Sequence, residues 1–242
     1  MKKISLVLFV FVFFIAVFTV SYASEQDYKA TLAKMPGYAE STEKGILVDL
    51  VKAIASESGK EISLVVEPFA RSMNNVTSGE ADFHMPLIAI PGIDMATLEY
   101  DYSTETIFHV NFVLYTKKGS NITIDNLPDS KVETDIAHTP YFDFPIKGSA
   151  NLESSLKKVS AGRIDAFIFA DFAIDPLIKQ NNFTDIKRDL FKVYDVKIIL
   201  PKNGRGGDTD KFLSETIAKL RANGTYDKIM GPLEVPYDNW QP

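Results

Sequence analysis

Three side chains stand where this chain could meet a small molecule on the strength of local pattern alone: Tyr38, Arg71 and His84. Tyr38 closes the turn Met35-Pro36-Gly37-Tyr38, where Gly after Pro favours a type II geometry. It lies beyond a strand end, the place where α/β sheets expose ligand crevices. Arg71 follows a strand and Pro68, which makes it either a cleft-facing guanidinium or an arginine on a helix surface. His84 sits beside Asp82 at the mouth of an apolar run and is the best placed of the three histidines for a ligand contact. The chemistry on offer is recognition. No catalytic residue is assigned and no cofactor is expected. Gly204-Arg-Gly206-Gly207 lacks the Lys-Ser/Thr ending and the spacing of a phosphate loop. There is no Gly-x-Ser-x-Gly elbow. His84, His109 and His138 are far apart, and no two have the helical spacing of a metal pair, so no metal is expected either.

These residues must be held by the stretch from Gly45 to Asp82, which reads helix, strand, helix and the start of a strand. Leu47, Leu50, Val51, Ile54 and Ala55 recur at helical spacing, and Gly59 stands where a left-handed residue would end that helix. Ile62, Leu64 and Val66 alternate as a strand does, and Pro68 stops it. Strands separated by helices imply parallel pairing in an α/β layer. The ending recurs: Gly79-Glu-Ala-Asp82-Phe83 is echoed by Gly162-Arg-Ile-Asp165-Ala-Phe167, each after an apolar helix face and before a strand. Copies so far apart suit two lobes of similar build rather than a stacked repeat. Polar breaks at Lys117-Lys118-Gly119-Ser120 and Pro201 to Gly207 suggest the crossovers. The expected division is a first lobe of residues 24–116 and 204–242 and a second of residues 117–203. Phe108 to Thr116 and Val193 to Leu200 read as strands, Tyr100 to Thr106 as a stretch dense in hydroxyls and carboxylates, and Thr139 to Gly148 as an aromatic, proline-punctuated loop.

A net charge of −6 with no basic stripe argues against a nucleic-acid partner. The absence of cysteine removes disulfides, thiolate metal sites and a thiol nucleophile. Lys2-Lys3, the apolar run Ile4 to Val20 and the small residues of Ser21-Tyr22-Ala23 have the order of a secretory signal peptide, residues 1–23, with cleavage after Ala23.

Taken together, Pro36-Gly37-Tyr38, Gly45-Ile-Leu-Val-Asp49-Leu50, Pro68-Phe69-Ala-Arg71, Gly79-Glu-Ala-Asp82, Asp101-Tyr102-Ser103, Gly162-Arg163-Ile164-Asp165-Ala166 and Leu220-Arg-Ala-Asn-Gly224-Thr225-Tyr226 occur in the order found in bacterial extracellular solute-binding proteins of family 3. The chain resembles that family, the periplasmic receptors of polar amino-acid-type ABC transporters, over nearly all of the exported part. The resemblance implies a type II periplasmic-binding fold of two α/β lobes joined by two crossovers, a periplasmic monomer, a small polar ligand and a membrane permease as partner. It also implies site residues. Tyr38 matches the aromatic that packs on the ligand. Ser103 matches a hydroxyl that bonds it. Asp171 lies one residue late for the carboxylate that takes a ligand ammonium. The loop holding Thr139 stands where the second lobe supplies hydroxyl and amide contacts. One departure is plain. The arginine that clamps a ligand carboxylate is expected at position 96, which is Ala96, and Ile93 to Glu99 contains no basic residue. A bidentate clamp needs guanidinium, so Arg71 would have to supply it. The acidity of Asp94, Glu99, Asp101 and Glu105 could favour a cationic or polyhydroxylated ligand, or could be a solvated face. Two alternatives stay open: a sensor subunit, and an enzyme similar to cyclohexadienyl dehydratases with Glu105 as its acid.

Overall fold

The computed structural model describes residues 27–242; the signal-peptide reading falls outside them. Eight strands form one continuous sheet in the order β2-β1-β3-β8-β4-β7-β5-β6. Strands β1 (Tyr28–Ala33), β2 (Ile62–Glu67) and β3 (Phe83–Ile88) pair in parallel at one end. Strands β5 (Val132–Asp135), β6 (Lys147–Ser149) and β7 (Ala166–Ala170) do so at the other. Two long antiparallel strands, β4 (Tyr100–Lys117) and β8 (Ile186–Pro201), run through both ends. Each end is a lobe, and the middles of β4 and β8 are the two crossovers.

The sequence pattern finds the first helix well. In α1 (Ile46–Ser58) Leu47, Val48, Leu50, Val51 and Ile54 are buried, and Gly59 closes the helix at φ 68. A fully buried leucine or isoleucine is worth roughly 1.5–3 kcal/mol, so this face fixes α1 against its partners. Those partners are α5 (Asp208–Ala222) and α6 (Thr225–Met230). On the second lobe α3 (Leu152–Ser160) begins at Asn151, whose side chain accepts from the Ser154 amide at 2.8 Å.

The echoed endings are the same joint built twice. Asp82 accepts from the Lys29 amide at 2.7 Å and its own amide donates to the Lys29 carbonyl at 2.9 Å. Asp165 accepts from the Lys131 amide at 2.7 Å and its amide donates to the Lys131 carbonyl at 2.9 Å. Each aspartate thus braces the strand beside its own, satisfying an amide at a strand entry that the ladder leaves unpaired.

Both long strands start earlier than their alternation suggests: β4 at Tyr100 rather than Phe108, β8 at Ile186 rather than Val193. Irregularities between Tyr102 and Thr106, at Thr106/Phe108 and at Phe112/Val113 shift the side-chain phase, so no single period-2 pattern spans either strand. The polar breaks at Lys117 and Pro201 are the ends of these strands, beyond the middles where the chain passes between lobes.

The tail, read with the first lobe, crosses back to the second. The Leu233 amide still donates to Met230 O of α6 at 2.8 Å, and Tyr237 and Trp240 pack against the second lobe's cluster, which includes Val113, Tyr115 and Ile174. The tail closes over Arg188 of β8, which is 1% exposed. Asp175 of α4 (Asp171–Asn181) meets the guanidinium through both carboxylate oxygens, at 2.9 and 2.5 Å. The Trp240 carbonyl accepts from it at 2.6 Å, and the Trp240 and Tyr237 rings lie 4.4 and 5.3 Å away.

Candidate functional site

Two elements of the first lobe end at the same level. The turn after β1 delivers Met35 and Tyr38, with Gly37 at φ 77 as the type II turn requires. The first turn of α2 (Phe69–Thr77) delivers Phe69. The end of β3 adds Pro86 to Ile90, and the middles of β4 and β8 add Phe108, Val110 and Val196. Facing them from the second lobe is a 3-10 turn, Ile136–Tyr141, which contributes Ala137, His138, Pro140 and Tyr141. Between these walls lies a cavity of about 370 Å³. None of the described residues that line it is an aspartate, glutamate, lysine or arginine.

The cavity is closed by contacts across the lobes. The Tyr141 hydroxyl donates to the Ile88 carbonyl at 3.2 Å. The Tyr38 ring stands 5.8 Å from both Phe108 and Phe172, the latter at the start of α4. Burial pushes the Tyr38 hydroxyl up to about 12, so it is a neutral phenol at physiological pH. His138 is held by Asp135, whose carboxylate lies 2.9 Å from Nδ1, and its ring packs on Tyr141 and Phe169 at 5.1 and 5.0 Å. Beside the cavity a second hollow of about 270 Å³ shares Ile90, Pro140 and Tyr141 with it and includes Asp143 and Lys192.

The residues picked from the sequence divide sharply. Tyr38 lines the cavity, and Thr139 sits in the turn that forms its far wall, its hydroxyl donating to Ile136 O at 3.2 Å. Asp171 is the first residue of α4, near Tyr38. Its two oxygens accept from Asn111 Nδ2 at 3.0 Å and the Phe172 amide at 2.7 Å, and burial raises its pKa. The other four are elsewhere. Arg71 is exposed on α2 and does not line the cavity. His84 is fully buried behind α2 in a chain Thr31–Ser72–His84, with Ser72 Oγ 2.8 Å from Thr31 Oγ1 and 2.6 Å from His84 Nδ1. Ser103, also fully buried, fills the irregularity in β4: it donates to the Glu105 carbonyl at 2.8 Å and accepts from the Ile198 amide at 3.2 Å. Glu105 pairs with Arg221 at 2.9 Å. Sequence reasoning passed over Phe69, Phe108 and Tyr141. The usable signal for Tyr141 was its loop, where aromatics and proline crowd a segment between two short strands.

Two lobes, two crossing strands and a cavity at their junction define a periplasmic-binding type of fold. The family model for bacterial extracellular solute-binding proteins, family 3, matches residues 34–231, and the chain belongs to that family. Solved structures agree on the fold. The ligand-binding core of GluR0 from Nostoc punctiforme, in complex with L-glutamate, superposes with a TM-score of 0.59 at 18% identity, covering 85% of this chain and 98% of that one. The arginine-, lysine-, histidine-binding protein ArtJ from Geobacillus stearothermophilus gives 0.57 at 19% identity, covering 88% and 95%. A histidine kinase sensor domain with similarity to periplasmic binding proteins gives 0.59 at 18% identity, covering 86% and 96%. No curated sequence matches the chain.

Proposed function

We propose that this protein is an exported solute receptor that captures a small molecule between its lobes and presents the closed form to the permease of an ABC transporter. The observation that carries this reading is the cavity walled from both lobes, with Tyr141 bonded across it to Ile88. A ligand that fills such a space gains contacts to both lobes only when they close, which is how hinge closure reports occupancy. Membership of the solute-binding family supports the same reading, as does the periplasmic setting expected from the sequence. The chain acts by binding: Glu105, the acid that an enzyme reading needs, is tied to Arg221 and does not line the cavity. A thermal-shift panel of amino acids, polyamines, organic acids, sugars and small aromatic compounds tests capture. A true ligand at a hundred times its Kd should stabilise by about 2.7 kcal/mol. A panel in which nothing raises the melting temperature would count against solute capture.

A second reading has one observation in its favour, the likeness to a histidine kinase sensor domain. In it the closed form is presented to a membrane receptor instead. Reconstitution with a candidate permease separates the two, since only a transport receptor stimulates ligand-dependent ATP hydrolysis there.

A further inference from the structure

We propose that the solute is an uncharged, ring-shaped molecule carrying one hydrogen-bond donor, and not a zwitterionic amino acid. The inference rests on the solute-capture reading and deepens it. The first observation is the wall. It has no aspartate, glutamate, lysine or arginine among the described residues, and Ala96 and the exposed Arg71 leave no guanidinium at the cavity. A carboxylate or ammonium placed there would be stripped of water with no partner, which costs several kcal/mol or more. Nor does Asp171 line the cavity, and its oxygens are turned to the Asn111 amide and the Phe172 N–H.

The second observation is the shape of the wall. Five rings face the space: Tyr38 and Phe69 from the first lobe, Phe108 from a crossing strand, and His138 and Tyr141 from the second lobe. Rings meet rings well edge-on or offset, and a flat guest can satisfy several such contacts at once. The volume, near the lower end for small-molecule sites, suits one small ring system.

The third observation is the polar inventory. The Tyr141 hydroxyl is spent on Ile88. His138 Nδ1 faces the Asp135 carboxylate, so in the neutral ring the proton sits on Nδ1 and Nε2 is left an acceptor. The Tyr38 hydroxyl has no hydrogen-bond partner among the described residues. An imidazole acceptor and a phenol can take one N–H or O–H from a ligand, and they are too few to hold a charged head group.

Isothermal titration of the dialysed protein tests this with indole and 4-methylphenol against L-glutamate, L-glutamine and L-arginine. The neutral rings should bind at least roughly tenfold more tightly than any of the three amino acids. Toluene, which keeps the ring of 4-methylphenol and drops its donor, should bind about fivefold more weakly than 4-methylphenol, the worth of one hydrogen bond. Ala137→Trp, which fills the cavity from its rim, should abolish ring binding while circular dichroism and the unliganded melting temperature report a folded chain. Tighter binding of an amino acid than of either ring overturns this inference and leaves solute capture standing. Equal binding of toluene and 4-methylphenol overturns the donor requirement. Silence from these probes and from the wider thermal-shift panel overturns both readings.

Discussion

The clamp at Arg188 and the cavity at the cleft both gather aromatic rings, and they treat charge in opposite ways. At the clamp a guanidinium is buried outright, matched by two carboxylate oxygens of Asp175, a backbone carbonyl and two ring faces. At the cleft the rings surround a space that no described aspartate, glutamate, lysine or arginine lines. The difference teaches that this chain can build a dry cation site in full where it needs one. The missing clamp at Ala96 is not compensated a few residues away, and an uncharged ligand of the kind proposed would need no such compensation.

The comparison can be broken most forcefully at Arg188. Arg188→Met leaves the part-buried Asp175 with the Tyr115 hydroxyl as its main remaining partner and strands the Trp240 carbonyl. Removing one member of a buried pair typically costs about 3–5 kcal/mol, and urea titration should show a loss of that size. A loss within experimental error would mean that the clamp is decorative.

A third buried polar site, His84, sharpens the contrast because it is buried without a charge. Burial pulls its pKa from 6.5 down to about 4. In the unfolded chain the imidazole binds a proton below about pH 6.5, and in the folded chain it does not until about pH 4. Its contribution is thus fully present above pH 6.5 and lost as pH falls through that window, by about 3 kcal/mol in total. Denaturant titrations across the window should show this decline in the wild type and lose it in His84→Gln; identical slopes in the two proteins would contradict it.

Smaller effects come from the cleft itself. Tyr141→Phe removes the bond to Ile88 and keeps the ring, so the closed form should lose about 1 kcal/mol and ligand affinity should fall about fivefold with little change in global stability. The least consequential change is Lys157→Ala. Its 2.5 Å contact with Glu153 is exposed and one helical turn away, and melting should register less than about 0.5 kcal/mol.

The fold was legible wherever local pattern and burial agree. The α1 face, Gly59 and the twin Gly-x-x-Asp joints stood in the sequence because one element alone dictates each of them. The crossing strands were read short because their irregularities break the alternation that reveals a strand, and a bulge is visible only against its partner. Of the cavity's walls, Tyr38 and the turn holding Thr139 were legible, since both sit on turns with strong local signatures. Ser103 looked like a ligand group because it matches the family's hydroxyl position, and His84 because it sits beside Asp82 at the start of an apolar run. In the folded chain the Ser103 hydroxyl is taken up by Glu105 and Ile198 and His84 Nδ1 by Ser72, while His84 Nε2 is buried with no hydrogen-bond partner among the described residues. Only tertiary accounting reveals such use.

The returning tail constrains how the lobes can move. Its Leu233 amide still donates to Met230 O of α6 at 2.8 Å, and the Val235 carbonyl already accepts from Asn111 on the far half of β4 at 2.9 Å. A single residue, Glu234, spans the gap, and it touches His109 at 3.2 Å, opposite Asp195 in the middle of the two crossing strands. Three covalent paths without slack cannot all lengthen together. Any swing that keeps both anchors must turn about a point close to Glu234, so an opening that preserved them would be a narrow nod around one fixed corner rather than a free gape.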